Sequence, residues 1–489
     1  MRIIVFSCAA TITTLSAAAA GDDGSPPGAS SSHDDRPPPI VSAPAGPSEG
    51  HFEFGSYGRV RVGSDLRGHT GSDANIVAHG DRIDEDSYAE LELRREDTFT
   101  PHVASKVVAT LALFPPFFHF SGDPTQAIAV RNLYAQGTLD DLTLWVGSRM
   151  YRGDDIYLLD WWPLDNQNTL GGGAGYRLRW APGAETVVAA HAGLQRLSST
   201  YQYEQIPAPL PAALTPQQGP TSTNITSLDR PRTIETLKVT HLATRPGHGP
   251  DGLKLVLYAE TQELAAGVYT DTTVAPPGQT ALPTDWGWLA GGEVAYFTGR
   301  RNTFVQVFVR HAEGIAAYDP LSVPLTFASD RTTRGSSETL AALGANYEQG
   351  PFGLLVGAYF RSFRDGSPSP TTSQKYDEGV LAFRPQVYLG DRWGIAFEGA
   401  FEARRYALLD PQTDQPLTAV EWRAGVIPYF SPSGRGSYAR PQVRLIYALT
   451  ARNPAARELY PTEDAINQRG IVQFLALGAE WWFNSSSYP

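Results

Sequence analysis

The 489 residues carry a formal charge of −12, which argues against nucleic acid as a partner. Mean hydropathy is −0.26, and beyond the first twenty residues no run of roughly eighteen apolar side chains offers a membrane-spanning helix. The single cysteine, Cys8, falls in that opening stretch, so disulfides and thiol-based metal or redox chemistry are excluded from the remainder. Such averages suit a soluble acidic protein or a transmembrane barrel, in which polar lumen residues alternate with apolar lipid-facing ones. The load of 10 Trp, 22 Tyr, 21 Phe, 47 Gly and 38 Pro favours the barrel.

In chain order, residues 1–20 open on Arg2, run through an apolar stretch from Ile3 to Leu15 and end in Ala17 to Ala20 before Gly21, the pattern of a secretory signal peptide. Residues 21–50 are rich in Pro, Ser and Gly and hold almost no large apolar side chains. They cannot offset the entropy of folding, which predicts a disordered leader, either a spacer or a tail that binds peptidoglycan or another partner.

From His51 onward apolar and polar residues alternate with the period of strands. Phe52, Phe54, Val60 and Val62 share one face, and Glu53, Tyr57, Arg59 and Arg61 the other. Leu91 and Leu93 oppose Tyr88, Glu90, Glu92 and Arg94; Leu253, Leu255 and Leu257 oppose Lys254, Tyr258 and Glu260. Val305, Val307 and Val309 oppose Gln306 and Arg310, and Phe397 and Phe401 oppose Glu398, Glu402 and Arg404. So many charges on the second face do not suit a dry sandwich core, whereas a water-filled lumen accommodates them.

Such segments are expected to start near 52, 86, 102, 129, 141, 174, 185, 231, 252, 287, 302, 338, 352, 377, 393, 417, 438 and 471. Short turns such as Thr138–Asp141, Ala181–Ala184 and Glu348–Gly350 alternate with long stretches near 152–172, 198–228, 262–285, 315–335, 363–375 and 452–470. The fold expected over residues 51–489 is all-β: a transmembrane antiparallel barrel of about 18 strands. No Ser-based or His-Glu-x-x-His spacing is present, so no enzyme is expected.

The segment 144–175 carries the densest chemistry. It alternates as a strand to Met150, then packs together Arg152, Asp154, Asp155, Tyr157, Asp160, Trp161, Trp162 and Asp165. Flat rings beside bidentate polar groups suit a sugar, with its apolar C–H faces and hydroxyl edges. A loop that only plugs or stiffens the barrel is the alternative.

This segment resembles the constriction loop of the maltoporin family at Trp145, Ser148-Arg149-Met150-Tyr151, Asp155, Asp160-Trp161-Trp162 and Gly171-Gly172-Gly173-Ala174-Gly175. Weaker pieces at Gly55–Arg59, Tyr88–Leu91, Asp123-Pro124, Arg131-Asn132, Gln136-Gly137, Arg384-Pro385, Arg440-Pro441 with Arg444, and Gly478–Phe483 extend the similarity over residues 51–483. The resemblance implies an eighteen-stranded homotrimeric pore in the outer membrane of a Gram-negative bacterium, bedded in lipid and lipopolysaccharide, with a constriction loop folded into the lumen, in which sugars or oligosaccharides slide over aromatic rings beside an ionic track. Carried over by position, it implies Tyr57, Tyr88, Trp161, Trp162 and Trp482 as sugar-stacking rings, and Arg59, Glu90, Arg131, Arg152, Asp155 and Asp160 as polar sugar contacts. Alternation by itself puts Tyr57 and Tyr88 on the lumen face, and Trp482 on the face of Glu480 with Trp481 toward lipid.

The sequence departs from the family at several places. Gly80 stands where a track arginine is expected, with Arg82 nearby, and Gly153 replaces another, with Arg152 beside it. A middle-strand slide phenylalanine falls on Ala290, and a late-strand tryptophan finds only Glu378 or Gly379 near Tyr376. The loop ring that the family donates to a neighbouring subunit has no direct match, and the resemblance implies Phe117, Phe118 and Phe120 in the corresponding segment. Asp123 lies where related barrels hold a calcium ion; no other cofactor is expected. The thinned slide points to sugars other than plain maltodextrin, and a general or anion-leaning diffusion pore is the competing expectation.

Overall fold

The computed structural model describes residues 49–71, 75–114, 128–210, 221–244, 251–271, 274, 276–298, 303–369, 374–409 and 414–485. The expected signal peptide, nearly all of the leader, and Phe117, Phe118, Phe120 and Asp123 lie outside these residues. Twenty-two strands run in chain order: β1 Glu49–Ser64, β2 Tyr88–Thr100, β3 Val103–Leu113, β4 Ile128–Leu139, β5 Leu142–Arg152, β6 Asn166–Ala181, β7 Ala184–Gln195, β8 Tyr203–Leu210, β9 Thr221–Asp229, β10 Arg232–Thr244 and β11 Gly252–Leu264. They continue as β12 Gly267–Asp271, β13 Gly278–Leu282, β14 Asp285–Thr298, β15 Thr303–Gly314, β16 Ser337–Gln349, β17 Phe352–Arg364, β18 Lys375–Tyr388, β19 Trp393–Leu409, β20 Pro416–Phe430, β21 Gln442–Arg452 and β22 Ile471–Phe483.

Eighteen of these form one antiparallel sheet, and β1 pairs with both β2 and β22, which closes it into a barrel without a free edge. The other four form two hairpins, β8–β9 and β12–β13, inside long connections on one rim. At the other rim the connections are mostly tight turns, such as Thr100–Val103, Leu139–Leu142 and Ala181–Ala184.

The barrel is apolar outside and charged inside, the reverse of a soluble core. Phe54, Val62, Leu93, Leu257, Val309 and Phe397 are exposed, whereas Glu90, Glu92, Lys254, Glu260, Arg310, Glu398 and Glu402 are buried. Outward rings gather near both rims: Trp180, Tyr296, Tyr347 and Trp393 near the turns, and Trp286, Trp422 and Phe360 near the long loops. That is the pair of interfacial girdles a membrane barrel presents to lipid.

Charges taken out of bulk water need partners. Here they alternate in sign from strand to strand: Arg310 to Glu338 at 2.7 Å, Glu338 to Arg361 at 2.5 Å, Arg361 to Glu378 at 3.3 Å and Glu378 to Arg404 at 2.6 Å. Cross-strand neighbours of opposite charge stabilise the ladder of β15 to β19 and stiffen the wall.

The expected alternation fails in three places. The strand expected near 174 starts at Asn166, because the run Gly171–Gly175 is already paired with β5 and β7. There a Cβ on Gly171 would lie 2.1 Å from the Ala192 carbonyl oxygen, and one on Gly173 would lie 2.6 Å from Trp145 Nε1. The strand expected near 438 starts at Gln442, since residues 431–441 fold inward from the turn rim. Ala290 faces outward, so the expected ring slot is one residue out of phase; a one-residue step reverses the face, and the lumen side belongs to Leu289.

Candidate functional site

The constriction forms where β5 ends at Arg152 and the chain turns into the lumen. Gly153 permits the turn: a Cβ there would lie 2.0 Å from Asp165 Oδ1, and its N–H donates to the Asp165 carbonyl at 3.3 Å. Higher up, Ile156 N–H donates to the Trp161 carbonyl at 2.8 Å around a 3-10 turn, Tyr157–Leu159, and Asp160 closes it in the left-handed region at φ 47°. The loop crosses the barrel and is held on several strands. Lys254 on β11 pairs with Asp154 at 2.6 Å, and Arg310 on β15 donates to the Pro163 carbonyl at 2.8 Å. Gly357 on β17 leaves room for Ile156, Leu158 and Leu159, and the Tyr157 hydroxyl at the tip donates to Glu480 on β22 at 2.9 Å.

A second inward segment, residues 75–87 between β1 and β2, was not foreseen as a lumen element. Its Ile76 and Asp81 amides donate to Glu402 at 3.0 and 3.3 Å, and Asp81 and Asp84 pair with Arg423 at 2.9 and 3.0 Å. The two inward segments interlock: Arg82 N–H donates to the Leu158 carbonyl at 3.2 Å, and His79 stacks on Trp161 with centroids 4.2 Å apart. The signal was Ile76-Val77 inside an otherwise polar stretch followed by Asp81, Arg82, Asp84 and Glu85.

Burial sets the electrostatics of these loops. It pushes the Glu85 carboxyl up to about 7, outweighing Arg59 and Arg82 beside it. Burial, with Asp160 and Asp154 adding repulsion, also holds Asp155 well above the carboxylate range. Asp154 goes the other way: although burial opposes ionisation, Lys254 keeps it below its ordinary value.

The barrel seam brings several of the expected residues together. Tyr57 is in register with Trp482 on one side and Glu90 on the other, and Arg59 with Glu480 and Tyr88. Tyr57, Tyr88 and Trp482 pack together with Phe114, and the Tyr57 and Tyr88 centroids are 5.9 Å apart. Arg131 joins them from β4. A bulge leaves it as an extra residue between Val130 and Asn132, so Arg131 and Asn132 both face the lumen. It pairs there with Glu90 and with the Tyr88 hydroxyl. Asp160 reaches the same group through Arg59 at 3.8 Å. Trp481 faces outward and fills the space a Cβ on Gly58 would take, with its indole N–H donating to Ser56 Oγ at 3.1 Å.

The remaining expected residues lie elsewhere. Trp162 is buried at the loop root under the Arg152 guanidinium, 3.8 Å from the ring centroid. Trp161 is sealed between His79 and Tyr359. Asp155 contributes its carbonyl to Gln306. Arginines sit on the rings throughout: Arg59 over Tyr88 at 5.3 Å, Arg440 over Trp482 at 4.2 Å and Arg82 over Tyr157 at 4.5 Å. Tyr157, Glu480 and the arginines around them were not singled out as a site, although the Arg-Pro pairs at 384 and 440 marked their strands.

The arrangement offers flat rings, paired charges and a narrowed passage. The family model described as LamB porin matches residues 52–483. Among curated proteins no sequence matches the chain. Solved structures similar to it include OccAB1 of Acinetobacter baumannii, at 11% identity and TM-score 0.41, covering 91% of this chain and 99% of that one. OmpT of Vibrio cholerae matches at 11% identity and TM-score 0.39, covering 91% and 99%. OpdL of Pseudomonas aeruginosa matches at 10% identity and TM-score 0.39, covering 89% and 98%.

Proposed function

The chain belongs to the LamB porin family and is an outer-membrane porin, and from that premise we propose that it passes sugars or oligosaccharides by facilitated passive diffusion. The observation that carries the sugar reading is the seam cluster, where Tyr57, Tyr88 and Trp482 pack beside Arg59, Glu90 and Arg131. Rings lower the free energy of a sugar by stacking, each contact worth on the order of 1 kcal/mol. The charged groups replace the hydrogen bonds its hydroxyls made to water. Weak, repeated sites let the solute leave as readily as it arrives, and the process needs no energy input or chemical step.

In this reading the outward apolar wall is bedded in lipid and lipopolysaccharide, and the pore is a homotrimer, as the family resemblance implies. The test is sugar titration of the ion current through the reconstituted pore, comparing the native chain with Trp482→Ala. Saturable block that weakens in the variant supports the reading. A current that no sugar changes rejects it and favours a general diffusion pore. An anion-leaning pore has its own support in the guanidiniums that lie over the rings.

A further inference from the structure

Under the tip of the constriction loop, on the side of the turn rim, four lumen groups on β18, β20 and β21 present donors with no acceptor. Arg384 donates through Nε to Glu398, and among the described residues neither of its Nη amines makes a hydrogen bond. Arg444 donates through Nε to Gln442 at 3.0 Å and through Nη2 to Tyr157 and Glu480, which leaves Nη1 without a described acceptor. The Tyr429 hydroxyl and Gln442 Nε2 are buried without a hydrogen-bond partner, in residues only 5% and 3% exposed.

The groups are neighbours. Tyr429 and Arg444 are register partners across β20 and β21, and Arg440, Arg444 and Arg384 act electrostatically on the Tyr429 hydroxyl, opposed by the single acid Glu348. Arg384 and Arg440 both lie over the Tyr157 ring, 5.7 and 5.5 Å from its centroid. Arg384 and Arg444 stand near enough to repel one another. Carboxylates are present: Glu398 holds Arg384, and Glu480 is shared by Arg82, Arg440 and Arg444. Arg82 is also held by Glu85 at 2.6 Å, so Arg440 and Arg444 share Glu480 and leave one positive charge over; among the open groups Glu398 Oε1 is an acceptor and the others are donors. Buried donors without acceptors, here the Tyr429 hydroxyl and Gln442 Nε2, are costly, and the two open Nη amines of Arg384 with Nη1 of Arg444 match the oxygens of a carboxylate or a phosphate.

We propose that Arg384, Arg444, Tyr429 and Gln442 form an anion-binding step below the constriction, and that the solute this pore prefers is a sugar bearing a carboxylate or phosphate group. The inference rests on the sugar-porin reading above and names its substrate class. Arginine laid over the rings fits it as well, because a ring face with a guanidinium on it suits an acidic sugar better than a neutral one.

The test uses the full-length protein in planar bilayers, with glucose, glucuronate and glucose 6-phosphate as blockers. The expected result is that at least one acidic sugar blocks the current at a concentration tenfold or more below that of glucose. An Arg384→Gln, Arg444→Gln double variant should lose most of that preference, so that acidic sugars and glucose block at similar concentrations. Arg384→Lys, Arg444→Lys should restore part of it, which separates charge from folding. If only glucuronate responds the group is a carboxylate, and if only the phosphate responds it is a phosphate. Equal block by glucose and both acidic sugars overturns the inference while leaving a sugar porin. A pore that none of the three blocks overturns the sugar reading itself.

Discussion

The Arg440 guanidinium lies 4.2 Å from the centroid of the Trp482 ring, and the same arginine bonds Glu480 at 2.8 Å two residues earlier on β22. Cation, ring and carboxylate are thereby fixed as one platform beside Tyr57. Trp482→Ala removes the ring and loosens the arginine, and the half-blocking sugar concentration should rise about tenfold, a loss of roughly 1.4 kcal/mol. Trp482→Phe keeps a stacking face and should lose less than half of that free energy, as read from the same current titration.

The position of the constriction loop depends on its tip. Tyr157 reaches across the lumen to Glu480, Arg440 and Arg444, and Gly357 provides the surface on which Ile156 and Leu158 rest. Tyr157→Ala should therefore widen the pore, with a higher and noisier single-channel conductance. Gly357→Val should do the same by displacement, since its Cβ would begin 2.8 Å from Ile156 Cγ2. An unchanged conductance in both variants would show that the passage does not run past this loop.

Arg423 is the anchor of the other inward segment, pairing with Asp81, Asp84 and Glu421 at 2.9, 3.0 and 2.7 Å. Arg423→Gln leaves Asp81 and Asp84 without their guanidinium beside Glu421, which Arg452 still holds, and breaking such a buried pair typically costs about 3–5 kcal/mol. The barrel, closed by eighteen strands, should persist. Amides of residues 75–87 should lose protection in hydrogen exchange while those of the neighbouring strands keep theirs.

Glu85 gives the pore a pH dependence. Its carboxyl is raised to about 7, mainly by burial, so in the folded protein it binds a proton more tightly than in the unfolded chain. Its contribution to folding is therefore fully present below its ordinary value of 4.5, declines as pH rises from there, and is lost once pH has passed 7. Each protonation removes one negative charge beside Arg59 and Arg82. Reversal potentials in a salt gradient should shift toward anions as pH falls from 8 to 6, and Glu85→Gln should hold the low-pH value throughout.

Strand content was legible wherever side chains alternate. Leu253, Leu255 and Leu257 against Lys254, Tyr258 and Glu260 specify a strand and its lipid face without help, and the starts expected at 252, 352 and 393 fall on the first residues of β11, β17 and β19. Glycine carries no polarity, so Gly171–Gly175 concealed the first half of β6. Hairpins β8–β9 and β12–β13 lay within stretches read only as long loops, because nothing in their composition says that they pair beyond the barrel wall.

The site was legible only in part. Period two alone places Tyr57, Tyr88 and Trp482 on the lumen face, but it cannot tell which distant strands a barrel brings together. Glu480 and Tyr157 are more than three hundred residues apart, and only closure and loop inversion make them neighbours. The extra residue at Arg131 depends on a bulge, which a period-two pattern cannot express. Trp161 and Trp162 are adjacent in sequence, yet one packs on His79 and the other under Arg152, because the loop reverses direction at Asp160.

The most direct test of the central claim is single-channel current through the reconstituted pore titrated with neutral and acidic sugars. A sugar-conducting LamB-family porin predicts current reduced saturably by at least one sugar and restored on washout, with Trp482→Ala shifting the curve to higher concentration. A current that stays proportional to salt and indifferent to every sugar, neutral or acidic, would contradict it.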